Sequence, residues 1–155
     1  MKTDRFILDT DPGIDDALTI LYALASPEVK MEAITIVNGN CPMEQGVINA
    51  LSVLELMGAA SIPVAKGMAH PLILPVVNAE VTHGKTGLGY AELPAPVTKP
   101  DPRHAVELIR DLVLNEPGEI NIVAIGPLTN IAMAVRLYPE IVKAVKHIYI
   151  MGGAI

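Results

Sequence analysis

The 155-residue chain has no Trp, one Phe and four Tyr. So few rings leave no aromatic stacking platform for single-stranded nucleic acid. They also require a core of Ile, Leu, Val, Ala and Met. Basic residues are scarce and scattered: 11 Lys and Arg against 17 Asp and Glu, for a formal net charge of −6. A phosphate-backbone binder needs a basic cluster, so nucleic acid is not an expected partner. The single cysteine, Cys41, allows no internal disulfide, which fits a reducing compartment. Cys41 reads as a small buried residue rather than a nucleophile. Long apolar runs are absent. Phe6-Ile7-Leu8 is cut off by Asp9, well short of the ~7–15 residues of a signal-peptide core. No stretch approaches the ~18 apolar residues of a membrane span. The expectation is a cytoplasmic chain with no membrane partner.

What is present is enough apolar content, 51%, to bury a core within one domain spanning residues 1–155. Short apolar runs alternate with helical patterns. Phe6–Leu8, Met31–Val37, Ile62–Ala65, Ile120–Ile125 and His147–Met151 read as strands. Between them, apolar residues recur at helical spacing: Ala17, Ile20, Leu21, Leu24; then Val47, Ala50, Leu51, Leu54; then Ala105, Leu108, Ile109, Leu112. A last stripe is Leu128, Ile131, Ala132 and Val135. Asp101 is placed to cap the third helix with Pro102 at its first position. Strands that are continuous apolar runs are covered on both faces. The pattern predicts an α/β fold, an open, mostly parallel sheet with helices on both faces and a Rossmann-like core. Residues 67–102 break the rhythm with six prolines and a Gly84, Gly87, Gly89 cluster. A connection of that length reads as a functional flap.

Ligands of open parallel sheets bind beyond the carboxyl ends of the strands. The first such segment, Asp9-Thr10-Asp11-Pro12-Gly13-Ile14-Asp15-Asp16, holds four carboxylates with no basic residue before Lys30. Crowded there, they raise one another's pKa, and a divalent cation relieves the repulsion. Oxygen donors select a hard ion, Ca²⁺ or Mg²⁺, over zinc. Asp11 and Asp16 can reach one ion from the end of a strand and the start of a helix. Helix capping by Asp15 and Asp16 accounts for two of the four carboxylates only. Asn38-Gly39-Asn40 follows the second strand and suits either a turn or hydroxyl recognition. Gly126-Pro127-Leu128-Thr129-Asn130 follows the fourth and reads as a helix entry whose carbonyls face the same rim. His83, in Thr82-His83-Gly84-Lys85-Thr86-Gly87-Leu88-Gly89, sits among glycines that let a flap close. His104 and His147 read as structural residues on a helix and a strand, and His70 carries no signal.

These segments together resemble the nucleoside hydrolases, the inosine–uridine preferring ribonucleoside N-glycosidases. The resemblance rests on DTDPGIDDA (Asp9 to Ala17), VNGN (Val37 to Asn40), THGKTGLG (Thr82 to Gly89), GPLTNIA (Gly126 to Ala132) and IMGGA (Ile150 to Ala154), in that order. It implies a Ca²⁺-dependent hydrolysis of the N-glycosidic bond of ribonucleosides to ribose and free base. By motif position, Asp11, Asp16 and the main-chain carbonyl of Thr129 would hold the ion, and Asp11 would take the proton of the attacking water. Asp15 and Asn40 would hold ribose hydroxyls, Met151 would lie against the sugar, His83 would close over the site, and Asp9 would stand behind the ligands. Homo-oligomers are usual in the family.

Nucleoside hydrolases are about twice this length. Their later half supplies a further Asp ligand, the grip on the 5′-hydroxyl and the groups that act on the base. The chain therefore carries the metal-and-ribose half of such a site. Two other readings follow. One is a Ca²⁺- or ribose-binding fragment without turnover. The other is a Mg²⁺-dependent phosphatase of the haloacid-dehalogenase type with Asp9 as nucleophile, although Pro12-Gly13 and Asn38-Gly39-Asn40 depart from that pattern. A sheet lacking its remaining helices would also expose apolar surface and self-associate.

Overall fold

The computed structural model describes residues 3–153. Ala154, the last residue of the IMGGA segment, and Ile155 lie outside the described residues. In chain order the elements are β1 (Asp4–Thr10), α1 (Ile14–Ala25), β2 (Val29–Ile36), α2 (Met43–Leu56) and β3 (Val64–Lys66). They continue with α3 (Glu80–His83), α4 (Ala105–Asn115), β4 (Ile120–Ala124), α5 (Thr129–Leu137), α6 (Ile141–Ala144) and β5 (Ile148–Ile150). The five strands form one sheet in the order β3-β2-β1-β4-β5, and every pairing is parallel. The chain steps outward from β1 to β3, then returns to place β4 on the other side of β1. Beyond the carboxyl ends of β1 and β4 the order reverses, and such switch points open a crevice for ligands.

Alternation along the strands divides the core in two. Leu8, Ile34, Ile36 and Val64 face α1 and α2, whereas Ile7, Ala33, Ile120 and Ile122 face α4, α5 and α6. Both faces are apolar, as a doubly covered parallel sheet requires. Each of Val47, Ala50, Leu51 and Leu54 is buried, and so are Ala105, Leu108 and Ile109. The cover thins over β4 and β5 on the α1 side. There Phe6, Leu8, Tyr22, Val29, Val123 and Tyr149 line a cavity of about 340 Å³. β5 is an edge strand whose Tyr149 and Ile150 are exposed. Among the described residues no helix is long and apolar enough to cross a membrane.

Three local expectations are corrected. Asp101 does not cap α4. Its N–H donates to the Val64 carbonyl (2.8 Å), drawing it into a bridge with Ala65, and its carboxylate grips Arg103. The cap is His104, whose Nδ1 accepts from the Val106 N–H (3.2 Å) while Glu107 accepts from the His104 N–H. His104 thus precedes the helix rather than lying on it. In α5, Ala132 is exposed and Ala134 is buried beside Ile131. Hydrogen bonds draw Asn130 wholly inward and turn the helix away from its purely apolar stripe. Two short helices, α3 inside the flap and α6 before β5, had no periodic pattern long enough to mark them.

Candidate functional site

The acidic segment begins inside the sheet. Asp9 is the penultimate residue of β1 and is completely buried. Its Oδ1 accepts from Thr35 Oγ1 (2.6 Å) and Asn130 Nδ2 (2.8 Å), while Oδ2 has no hydrogen-bond partner among the described residues. Burial pushes its carboxyl up to about 7, against the lowering effect of those two bonds. A carboxylate so enclosed cannot attack a phosphate, and this argues against Asp9 as a nucleophile.

Asp11 emerges just past the strand. Its Oδ2 accepts from the Asn40 N–H (2.6 Å). Burial, and next the charge of Asp16, push its carboxyl up to about 7. Two glycines make room for it. A Cβ on Gly39 would fall 1.9 Å from Asp11 Oδ2, and one on Gly126 would fall 2.8 Å from Oδ1. Neither position tolerates a side chain without displacing the carboxylate.

Asp16 lies in the first turn of α1. Its Oδ2 accepts from the Gly13 N–H (3.0 Å), closing the helix start, and from Asn40 Nδ2 (2.9 Å). Its Oδ1 accepts from Thr10 Oγ1 (2.5 Å). Capping and site-building are therefore not alternatives for Asp16: one carboxylate does both. Asn40 joins Asp11 to Asp16, with its main chain on one and its side chain on the other.

The four carboxylates do not crowd on one turn. Asp11 and Asp16 share Asn40, Asp9 lies inside the sheet, and Asp15 is exposed on the rim. Every hydrogen bond found for Asp9, Asp11 and Asp16 comes from a neutral donor. This arrangement suits a cation: buried carboxylates, oxygen donors only, and, among the described residues, no Lys or Arg paired to them. Among the described residues, no three His, Cys, Asp or Glu side chains converge as a metal-holding group. Two side-chain carboxylates are what this chain brings.

Thr129 opens α5 and is half-buried, its N–H donating to the Pro127 carbonyl (2.8 Å). It lines a cleft of about 490 Å³ with Asn38, Gly39, Pro71, Leu74, Pro75, Val77 and Pro127. His83, at the end of α3, packs on the start of α1. Its Nδ1 accepts from the Ile14 N–H (3.2 Å) and lies 3.9 Å from Asp15 Oδ1. The ring covers Gly13, where a Cβ would sit 2.6 Å from Nδ1. Met151 is exposed just past β5, held by its N–H to the Ala124 carbonyl (2.9 Å). Cys41 is buried, and burial pushes its thiol up to about 12, as expected of an inert residue.

Four polar residues that shape the site carried no signal of their own in the sequence. Thr10, Thr35 and Asn130 hold the carboxylates. Asn130 also donates to the Ile36 carbonyl (3.1 Å) and accepts from the Met68 N–H (2.8 Å). Asn78 donates to the Gly39 carbonyl (2.7 Å) and to Asn38 Oδ1 (3.3 Å), tying the long loop to the rim. The pairing of β1 with β2 and β4 brings most of them together. Only Thr10 and Asn130, which stand inside the motifs, could have been suspected.

Residues 6–155 match the family described as inosine-uridine preferring nucleoside hydrolase. The chain is 49% identical over 151 residues to the inosine-uridine preferring nucleoside hydrolase of Leishmania major, covering 96% of this chain and 48% of that protein. It is 42% identical over 155 residues to uridine nucleosidase 1 of Arabidopsis thaliana, covering 99% and 46%. The solved purine-preferring ribonucleoside hydrolase from Gardnerella vaginalis superposes with a TM-score of 0.93 at 39% identity, covering 97% of this chain and 49% of that one. The chain thus spans about half the length of the relatives it matches. Motifs, sheet order and superposition agree, and the chain belongs to the inosine-uridine preferring nucleoside hydrolase family.

Proposed function

We propose that this chain carries out calcium-dependent hydrolysis of ribonucleosides to ribose and free base, with its calcium- and ribose-binding groups at the acidic rim. The observation that carries the reading is the Asp11–Asn40–Asp16 cluster, ringed by neutral donors at the switch point of the sheet. Asp11, Asp16 and the Thr129 carbonyl would hold Ca²⁺. When bound, the ion supplies a Lewis acid that acidifies a water near neutral pH.

The rest is the work of this chain's own residues. Asp11 accepts the proton of the attacking water. The carboxylates of Asp11, Asp15 and Asp16 favour the positive charge that develops on the sugar as the glycosidic bond lengthens. Asp15, exposed on the rim, and Asn40 hold ribose hydroxyls and orient the anomeric carbon, which selects ribose over deoxyribose. Met151 provides an apolar contact for the sugar. His83 closes over the site and keeps bulk water out. A cytoplasmic location and self-association of the chain complete the proposal. The free, buried Cys41 supports the first, and the exposed Tyr149 and Ile150 of the edge strand support the second.

The test is a ribose-release assay on this chain with inosine, uridine and a nitrophenyl riboside, in calcium and in chelator. Turnover is expected in calcium alone, with Asp11→Ala lowering it by about 10²–10⁴. Calcium binding without turnover in any of the three would leave the second reading, a calcium- and ribose-binding fragment. The chain's half-length coverage of its relatives and its two-carboxylate set favour that reading as the alternative.

A further inference from the structure

Asn49 is the seventh residue of α2 and lies outside every segment to which the proposed function gives a role. It is nonetheless only 2% exposed. Its Nδ2 donates to two main-chain carbonyls, Pro12 (3.0 Å) and Thr86 (2.7 Å). Pro12 directly follows Asp11. Thr86 stands three residues past His83. One amide group therefore bridges the acidic turn and the flap, using both of its protons.

Two further features fix that bridge. Asn49 Oδ1 accepts from Gln45 Nε2 (2.9 Å), one helical turn earlier, which sets the amide with its NH₂ toward the two loops. Gly87 is buried against the same spot at φ +83°, where a Cβ would come within 3.0 Å of Asn49 Nδ2 and 3.1 Å of the Pro12 carbonyl. The flap backbone thus lies against the acidic turn at Pro12, where Asn49 joins them, and the His83 ring makes a separate contact farther along, at the Ile14 N–H. A buried amide with each proton on a different loop is suited to joining those loops.

We propose that Asn49 is a positioning residue, a latch that couples the acidic turn to the flap, so that ordering of the turn by a cation and seating of His83 occur together. Coupling of this kind is reciprocal: what fixes Pro12 also fixes Thr86, and a seated flap favours the ordered turn. The cation side of this inference rests on the calcium reading above. The latch itself rests on the contacts of Asn49.

Hydrogen–deuterium exchange on the full chain and on Asn49→Leu, first without metal and then with calcium, tests both. Leucine keeps the branched shape of the side chain and removes both donors. The N–H groups of Gly84, Gly87 and Gly89 are bonded within the flap, to Glu80, Gly84 and His83. Without metal they are expected to exchange about tenfold faster in the variant, with α4 unchanged. With calcium, flap exchange is expected to slow in the wild type and to stay unmoved in a variant that still binds the ion. A folded variant with wild-type flap exchange overturns the latch. A variant whose flap calcium still slows to the wild-type degree overturns the coupling. Should Asn49→Leu not fold, Asn49→Ala, which adds no bulk, is held to the same outcomes. A wild-type chain that binds no calcium refutes the functional reading, and the latch is then decided on the metal-free rates alone.

Discussion

The two ends of the sheet's carboxyl rim are built differently. At β1 and β2, three buried carboxylates are held by Thr10, Thr35, Asn40 and Asn130 at 2.5–2.9 Å, and two glycines are fitted around Asp11. At β5, three strand residues form an edge, and Tyr149 and Ile150 are exposed. The first region has its polar groups positioned from several elements at once. The second offers a hydrophobic surface and holds Met151 by one main-chain bond. A carboxylate needs many neighbours to stay put without water, whereas an exposed methionine needs none. The carboxylate-bearing end of the site is accordingly built by several elements of this chain, while Tyr149, Ile150 and Met151 stay exposed.

Substitutions at the two ends should therefore behave in opposite ways. The largest effect is expected from Gly39→Ala, whose new methyl would overlap the Asp11 carboxylate. Denaturant unfolding should show a loss of about 3 kcal/mol, together with loss of any calcium response. Asn130→Ala should come next. It removes the bonds to Asp9, the Ile36 carbonyl and the Met68 N–H from a fully buried position. About 2 kcal/mol should be lost in the same measurement. Ile150→Lys at the exposed edge should shift stability by no more than about 0.5 kcal/mol. Its effect should instead be fewer dimers or aggregates in sedimentation velocity, because a charge on an edge strand opposes edge pairing. A large destabilisation by Ile150→Lys, or none by Gly39→Ala, would erase the contrast.

Local pattern made much of this legible. Continuous apolar runs announced the strands, and helical spacing announced α1, α2 and α4. The five-residue separation of Asp11 and Asp16 placed both at one strand-to-helix junction, where they are found. What local pattern could not show was orientation set by distant partners. Asp9 turns inward because Thr35 and Asn130 meet it there, and Asp15 remains outside because its neighbours Asp16 and Ala17 take the inner face of the helix. Asp101 had every local mark of a helix cap, but a main-chain bond to Val64 outweighed them. Asn130 reversed an apolar stripe for the same reason. Asn49 carried no motif, since its role depends on two loops that only the fold brings together.

Calcium titration calorimetry on this chain and on Asp11→Asn, which keeps the size of the side chain and removes its charge, tests the central claim most directly. One calcium site is expected in the chain, weakened at least tenfold in the variant while the variant stays folded. No binding to the chain, or equal binding to both, would contradict the assignment of the Asp11–Asn40–Asp16 cluster as the cation site.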